Sequence, residues 1–213
     1  MHQDSDPASS NHWEDVYRTK SSDKVSWYRP HLDISIDLLS KAGASPHSRV
    51  IDVGGGASTL VDDLLELGVA NITVLDLSEQ ALALARQRLG NRGSEVRWMC
   101  ADILTATLPD AGFDLWHDRA VLHFLTTPAS ERRYAEQAAR SIRSGGQAVI
   151  GGFAPDGPER CSGLEVARRS AQDIAAVLGD AFELVEERYE NHTTPGGTTQ
   201  AFAWARLRRL DGG

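Results

Sequence analysis

Cysteine is nearly absent from the chain: Cys100 and Cys161 are the only two in 213 residues. They stand far apart and without metal-ligand spacing, which excludes a disulfide framework and a zinc motif and fits a reducing cytoplasm. No metal is expected. No run approaches the ~18 apolar residues of a membrane span, and the opening "MHQDSDPASSNHW" is polar and acidic, unlike a signal or transit peptide. The expectation is a cytoplasmic protein with no membrane segment. A basic excess is also missing. With 22 Lys and Arg against 30 Asp and Glu, the net charge is −8, and the acids are spread along the chain. That balance disfavours tight binding to a phosphate backbone, so nucleic acid is set aside as the main partner. There is no internal repeat, and low complexity is confined to residues 1–10 and 211–213.

What is present is a regular alternation of strand-like and helix-like stretches. "RVIDV", from Arg49, is a short β-branched run, and "STLVDDLLELG" puts Leu60, Val61, Leu64 and Leu65 on one helical face with Gly68 as a stop. "NITVLDL" is the next strand. In "SEQALALARQRLG", Ser78 suits an N-cap, Glu79 the first turn and Gly90 the end of a helix. "EVRWMCAD" and "FDLWHD" read as strands three and four. The helix that follows opens at Thr127 and Pro128 and closes at Gly145-Gly146, before a fifth strand in "QAVIGGF". Such an order calls for an α/β fold, doubly wound, with parallel strands and helical crossovers on both faces. The end of the chain breaks it. After the helix "SAQDIAAVLGD", with a capping box from Ser170 to Asp173, the strands "FELVEERYENH" and "TQAFAWARLRR" join through "TTPGGT" as a C-terminal antiparallel hairpin.

Three consecutive glycines, Gly54 to Gly56, sit between the first strand and its helix. A glycine turn at that place exposes backbone N–H groups and lets a ligand approach the main chain, as a dinucleotide or another adenosine cofactor would. Against G-x-G-x-x-G, Gly54 and Gly56 match while Thr59 stands at the third glycine, so the dinucleotide fingerprint is incomplete. Three acids accompany the turn: Asp52 before it, Asp76 ending the second strand and Asp102 ending the third. Asp76 suits a ribose in either cofactor class. Asp52 beside the turn suits an ammonium group and would repel a pyrophosphate.

With these motifs in this order, about Arg49 to Arg209 resembles the class I, seven-stranded, Rossmann-like S-adenosylmethionine-dependent methyltransferases. "VIDVGGGAS" resembles their first motif, with Ser58 in place of a frequent final glycine. "VLDLS", "CADI" and "FDLWHDRAVLHFL" resemble the motifs of strands two to four, and the terminal hairpin agrees with the family's antiparallel seventh strand. The resemblance implies a mostly parallel seven-stranded sheet and the cofactor S-adenosyl-L-methionine, with S-adenosyl-L-homocysteine as product. It implies Gly54 and Gly56 beneath the methionine portion, Asp52 near its amino end, Asp76 on the ribose, Leu77 beside the adenine, Asp102 and Ile103 at the adenine, and His117 contributing backbone at the methionine end. In domain terms it implies a tail over 1–10 and one methyltransferase domain over 11–210: an N-terminal helical arm (11–48), a cofactor-binding core (49–153) and substrate-side loops with the hairpin (154–210).

Acceptor-side candidates come from segments that reach the carboxyl ends of the strands, where open α/β sheets bind ligands. In "WHDRAVLHF", His117, Asp118 and Arg119 follow the fourth strand, so at least one should face the cleft; His117 and Asp118 are the candidate catalytic residues, for acceptor orientation or proton removal, against an alternative in which Asp118 and Arg119 form a structural ion pair and His123 is a histidine of the next helix. In "SWYRPH", Tyr28 covers the cofactor and Arg29 binds the methionine carboxylate, against an alternative in which this segment and "HWEDVY" staple the arm to the core. Cys161 reads as a loop thiol and His192 as a turn histidine near the opening. The acidic charge favours a small-molecule acceptor or a protein side chain. "HDRAVLH" partly resembles the D-K-G-T-x-D segment of seven-stranded protein-lysine methyltransferases, although Ala120, Val121 and His123 depart from it. A protein-lysine N-methyltransferase is therefore the alternative acceptor class. Outside methyl transfer stand a non-catalytic cofactor-binding module and an NAD-dependent oxidoreductase.

Overall fold

The structure, a computed structural model, describes residues 10–19 and 25–211. The expected tail over 1–9 lies outside them, as do residues 212–213. Ser10, expected in the tail, is the first residue of helix α1 (Ser10–Thr19).

Parallel pairing needs crossovers, and the helices supply them. Strands β1 (Arg49–Val53), β2 (Asn71–Asp76), β3 (Val96–Cys100), β4 (Phe113–Arg119) and β5 (Ile142–Phe153) are joined through α3 (Leu60–Glu66) after β1, α4 (Glu79–Leu89) after β2 and α5 (Pro128–Ser141) after β4, whereas β3 and β4 are connected by residues 101–112 without a helix. After β5 come a small hairpin of β6 (Arg160–Cys161) and β7 (Leu164–Glu165), helix α6 (Ala171–Leu178), and the long pair β8 (Phe182–Thr193) and β9 (Thr199–Arg209). The sheet order is β3-β2-β1-β4-β5-β9-β8, with β9 antiparallel to both neighbours and the other pairings parallel. The mostly parallel seven-stranded sheet with its antiparallel finish is as expected.

Because β1 and β4 are covered on both sides, their alternating side chains enter two different cores. Val50 and Leu115 join Leu38 and Leu39 of α2 (Asp33–Lys41) and Leu60 and Leu64 of α3; Ile51 and Trp116 join Tyr134 and Ala138 of α5 and Ile174 of α6. This alternation decides below where His117 and Asp118 go. No described helix is long and apolar enough to cross a membrane.

Local signals are realised closely. Ser78 Oγ accepts the Ala81 N–H at 3.1 Å and so caps α4. At α6 the Ser170 hydroxyl accepts the Asp173 N–H at 3.1 Å while the Asp173 carboxylate accepts the Ser170 N–H at 2.9 Å. Ser170→Ala should cost about 1 kcal/mol, seen as a lower midpoint at unchanged slope in urea unfolding. One boundary differs. α5 ends at Ser141, Ile142 is already extended, and Gly145-Gly146 lie inside β5 where the β4–β5 register shifts. The glycine pair serves an irregular stretch of strand pairing rather than a helix end.

Candidate functional site

The strand order reverses between β1 and β4, and a cleft opens there at the carboxyl ends of the strands, the switch-point position for ligands in such sheets. With its open mouth it encloses about 990 Å³. Its floor follows the strand ends: Asp76 closes β2, Asp102 lies just beyond β3, Gly54 follows β1, Arg119 closes β4, Phe153 closes β5, and Phe202 comes from β9. From the parallel strands, the lining is drawn from residues at or near their carboxyl ends. Of the residues expected at a cofactor, Gly54, Asp76, Leu77, Asp102 and Ile103 line this cleft, while Tyr28, Arg29, Asp52, Gly56 and His117 do not.

The glycine turn works by approach. Gly54 and Gly56 have φ of 69° and 39°, in the left-handed region that favours glycine. A Cβ on Gly54 would stand 2.1 Å from Val121 Cγ2, and one on Gly56 would stand 2.6 Å from Asp76 Oδ2. The N–H groups expected to face a ligand are otherwise engaged at two of the three glycines: those of Gly54 and Gly55 both donate to the Leu75 carbonyl, at 2.7 and 3.2 Å. Thr59, at the third-glycine place, donates its hydroxyl to the Arg29 carbonyl at 2.8 Å and ties the N-terminal arm to the turn. Ser58 Oγ accepts the Leu60 N–H at 3.2 Å at the start of α3.

One end of the cleft is acidic. Asp76 is buried and accepts the Ser78 N–H at 2.8 Å. Burial pushes its carboxyl up to about 7, helped by the charges of Asp52 and Glu14. Asp102 accepts the Leu104 N–H at 2.8 Å. Apolar Leu75 and Leu77, on either side of Asp76 in the chain, and Ile103, next to Asp102, line the cleft with them.

His117 and Asp118, expected to open into the cleft, are sealed beneath it. Both lie inside β4, so they point to the two faces of the sheet. His117, 1% exposed, shares its Nδ1 with Asp52 Oδ1 at 2.7 Å and its Nε2 with Ser35 Oγ of α2 at 2.9 Å. Asp118, fully buried on the α5 face, accepts the Tyr134 hydroxyl at 2.6 Å and the N–H groups of Val121 and Leu122 at 2.7 and 3.0 Å. Burial pushes its carboxyl up to about 6, against those hydrogen bonds. Asp52 is consumed in the same way, by His117 rather than by a ligand's ammonium group. The expected Asp118–Arg119 ion pair is not formed, because consecutive strand residues face opposite ways.

The arm covers the cleft, but not through Tyr28 or Arg29. Trp13 and Tyr17 of α1 and Trp27 line it, and the Trp13 ring lies 5.1 Å from Phe124 and 6.0 Å from Trp27 in edge-to-face contacts. Glu14 holds α1 in place by accepting the Glu79 and Gln80 N–H groups at 2.6 and 3.3 Å, the open donors at the start of α4. Tyr28 is turned off the cleft. Arg29 pairs with Glu190, which also accepts the Trp204 Nε1–H at 3.0 Å, so its guanidinium is committed away from any cofactor carboxylate.

The end away from the acids is aromatic, with Phe124, Phe153 and Phe202, and carries Arg119, His123, Cys161 and Gln200. His123 sits on a single 3-10 turn (Leu122–Phe124) rather than a longer helix. Its two ring nitrogens are buried without partners among the described residues, and burial, with the charges of Arg169 and Arg119, pushes its pKa down to about 3. Cys161 is buried at the cleft wall, whereas Cys100 is exposed. His192 is wholly buried, its Nε2 2.7 Å from the Ser26 carbonyl, and lies outside the lining. Gln200 and Phe202 went unread in the sequence, although both lie on β9, whose sequence "TQAFAWARLRR" marked it as a strand.

A sequence-family model described as a methyltransferase domain matches residues 50–146. The eEF1A lysine and N-terminal methyltransferase of Mus musculus is 26% identical over 123 residues, 58% of this chain and 17% of its own length; the chain thus spans about a fifth of such relatives. The N-methyltransferase NodS of Bradyrhizobium japonicum, solved with S-adenosylhomocysteine, superposes with a TM-score of 0.72 at 20% identity over 94% of this chain and all of that one. The 1,6-didemethyltoxoflavin-N1-methyltransferase of Burkholderia thailandensis, solved with 1,6-didemethyltoxoflavin and S-adenosylhomocysteine, gives 0.69 at 22% identity over 94% of this chain and 84% of that one. These two likenesses concern the fold.

Proposed function

We propose that this chain, residues 50–146 of which match a methyltransferase-domain model, is a class I S-adenosylmethionine-dependent methyltransferase that transfers a methyl group from S-adenosylmethionine to a nucleophilic atom of a small-molecule acceptor held in the cleft. The observation that carries this reading is the two-ended lining, acids with apolar walls at β2 and β3 and aromatic walls from β4 to β9. The acidic end fits the cofactor: Asp76 and Asp102 are acceptors suited to ribose hydroxyls and an adenine amino group, Leu77 and Ile103 flank a flat base, and Gly54 leaves room at the turn. When bound, the cofactor supplies an electrophilic sulfonium methyl. The chain's own task is to hold the acceptor in line at near-attack distance and to exclude water, and such positioning can supply roughly 7–11 kcal/mol.

Proton removal is left to the acceptor and solvent. His117 and Asp118 are sealed off, and His123, its pKa pushed down to about 3 by burial and the charges of Arg169 and Arg119, is too weak a base to hold the proton. Turnover should therefore rise with pH along the acceptor's own ionisation, and acceptors of different pKa should give profiles displaced by that difference; profiles that coincide for all acceptors would point to an enzyme base instead.

A second reading, methylation of a protein lysine or N-terminus, is supported by the eEF1A methyltransferase relatives. Transfer of label from methyl-labelled S-adenosylmethionine into a metabolite fraction and a protein extract separates the readings. Label in the metabolite fraction is the expected result. Label confined to protein would replace it with the second reading, and label in neither from a chain that binds S-adenosylhomocysteine would leave a non-catalytic module.

A further inference from the structure

Arg119 is the one Arg or Lys among the described residues lining the cleft. Its Nη1–H donates to the Trp27 carbonyl at 2.8 Å, and its guanidinium carbon lies 5.1 Å from the centre of the Phe202 ring. Its Nη2 is buried with no hydrogen-bond partner among the described residues. No carboxylate among them lies within ion-pair distance of it: Glu190 is taken by Arg29 and Trp204, Asp52 by His117, and Asp118 by Tyr134 and two backbone N–H groups. A buried guanidinium face without an acceptor is costly unless a ligand completes it, and a planar cation against an aromatic wall is the usual receptor for a planar anion.

Position says which ligand. The cleft lining runs from beyond β3 to β9, five strand spacings or about 24 Å. Asp102, Asp76 and Gly54 account for its β3, β2 and β1 portion. Arg119 stands past the switch point on β4, between Trp27 and Phe202, with Phe124 and Phe153 in the same wall. Neutral His123, near enough for Arg119 to oppose its protonation, adds one unpaired donor and one unpaired acceptor.

We propose that Arg119 binds an acidic group of the methyl acceptor, so that the acceptor is a flat aromatic compound carrying a carboxylate or an equivalent planar anion. The assignment rests on the small-molecule reading above and narrows it to a substrate class. It departs from the resemblance, which placed the carboxylate-binding role on Arg29 and for the cofactor.

The test uses the full chain and two probes of the same shape, 2-naphthoate and neutral 2-naphthamide, titrated calorimetrically with and without saturating S-adenosylhomocysteine. The unchanged protein should bind the acid at least tenfold more tightly than the amide. Arg119→Gln should abolish that preference, and Arg119→Lys, which keeps the charge without the fork, should keep part of it. Equal or undetectable binding of the two probes by the unchanged protein overturns the proposal without any variant, as does a preference that survives Arg119→Gln. S-adenosylhomocysteine affinity should change less than threefold in Arg119→Gln. A tenfold loss there, absent for the analogue lacking the amino-acid carboxylate, would assign the guanidinium to the cofactor and overturn the acceptor role. Should the unchanged protein bind no S-adenosylhomocysteine, the methyl-transfer reading fails, while the cofactor-free probe titrations still decide what Arg119 recognises.

Discussion

With Asp76 replaced by alanine, calorimetry at pH 8 should show S-adenosylhomocysteine binding weakened roughly ten- to a hundredfold, the loss of charge-assisted hydrogen bonds worth about 1.5–3 kcal/mol. The reason is the state of this carboxyl in the free protein. Asp76 is buried and pushed up to about 7 by that burial, so ligand hydroxyls that donate to it favour the ionised form. Affinity should therefore strengthen as pH rises through about 7. Below that value, binding should release a proton and the measured enthalpy should change with the buffer. Asp76→Asn, which cannot titrate, should bind weakly with neither dependence.

The linkage has the opposite sign for the free fold. A carboxyl whose folded value of about 7 exceeds the unfolded value near 3.9 favours folding fully below about pH 4 and loses that contribution as pH rises toward 7. Ligand binding should offset the loss, so the gain in melting temperature from S-adenosylhomocysteine should be larger at pH 8 than at pH 6. A folded Asp76→Ala variant with unchanged affinity would remove Asp76 from the site.

The second large effect concerns stability. His117→Ala should destabilise the fold by about 3–5 kcal/mol, the cost of stranding a buried charge partner, and lower the melting temperature by ~10 °C for a chain of this size. A carboxylate only accepts, so the imidazole donates Nδ1–H to Asp52 at 2.7 Å, and its Nε2 meets Ser35 at 2.9 Å. Truncation leaves the Asp52 carboxylate, 2% exposed, without that donor between β1 and α2. Asp52→Asn combined with His117→Ala should be less damaging than the sum of the single changes, since the stranded charge is gone. The opposite pattern has a clear signature: if His117→Gln folded with normal stability yet lost most of its turnover, the imidazole would be a proton carrier after all.

Much of this molecule was legible as local pattern. The β-α alternation, the Ser78 cap, the Ser170–Asp173 capping box and the reversed last strand depend on residues within a few positions of one another, where spacing and turn chemistry speak directly. Asp76 and Asp102 were legible for the same reason: a strand's end is visible in sequence, and in a doubly wound sheet strand ends are where ligands sit. His117 and Asp118 were misread by the position of one boundary. "FDLWHD" suggests a strand whose last residues open into the crevice, but β4 runs on to Arg119. Inside a strand covered on both sides, every side chain enters one core or the other.

The sequence by itself therefore determined the sheet, its winding and the acidic end of the cleft, because each is encoded by periodicity and by residues at the ends of local elements. Tertiary structure alone decided that Trp13, Trp27, Arg119 and Phe202, from four separate segments, share one wall, and that Asp52 spends its charge on His117. Those facts arise from packing between elements far apart in the chain, where no local spacing records which side chains meet and which buried groups are already paired.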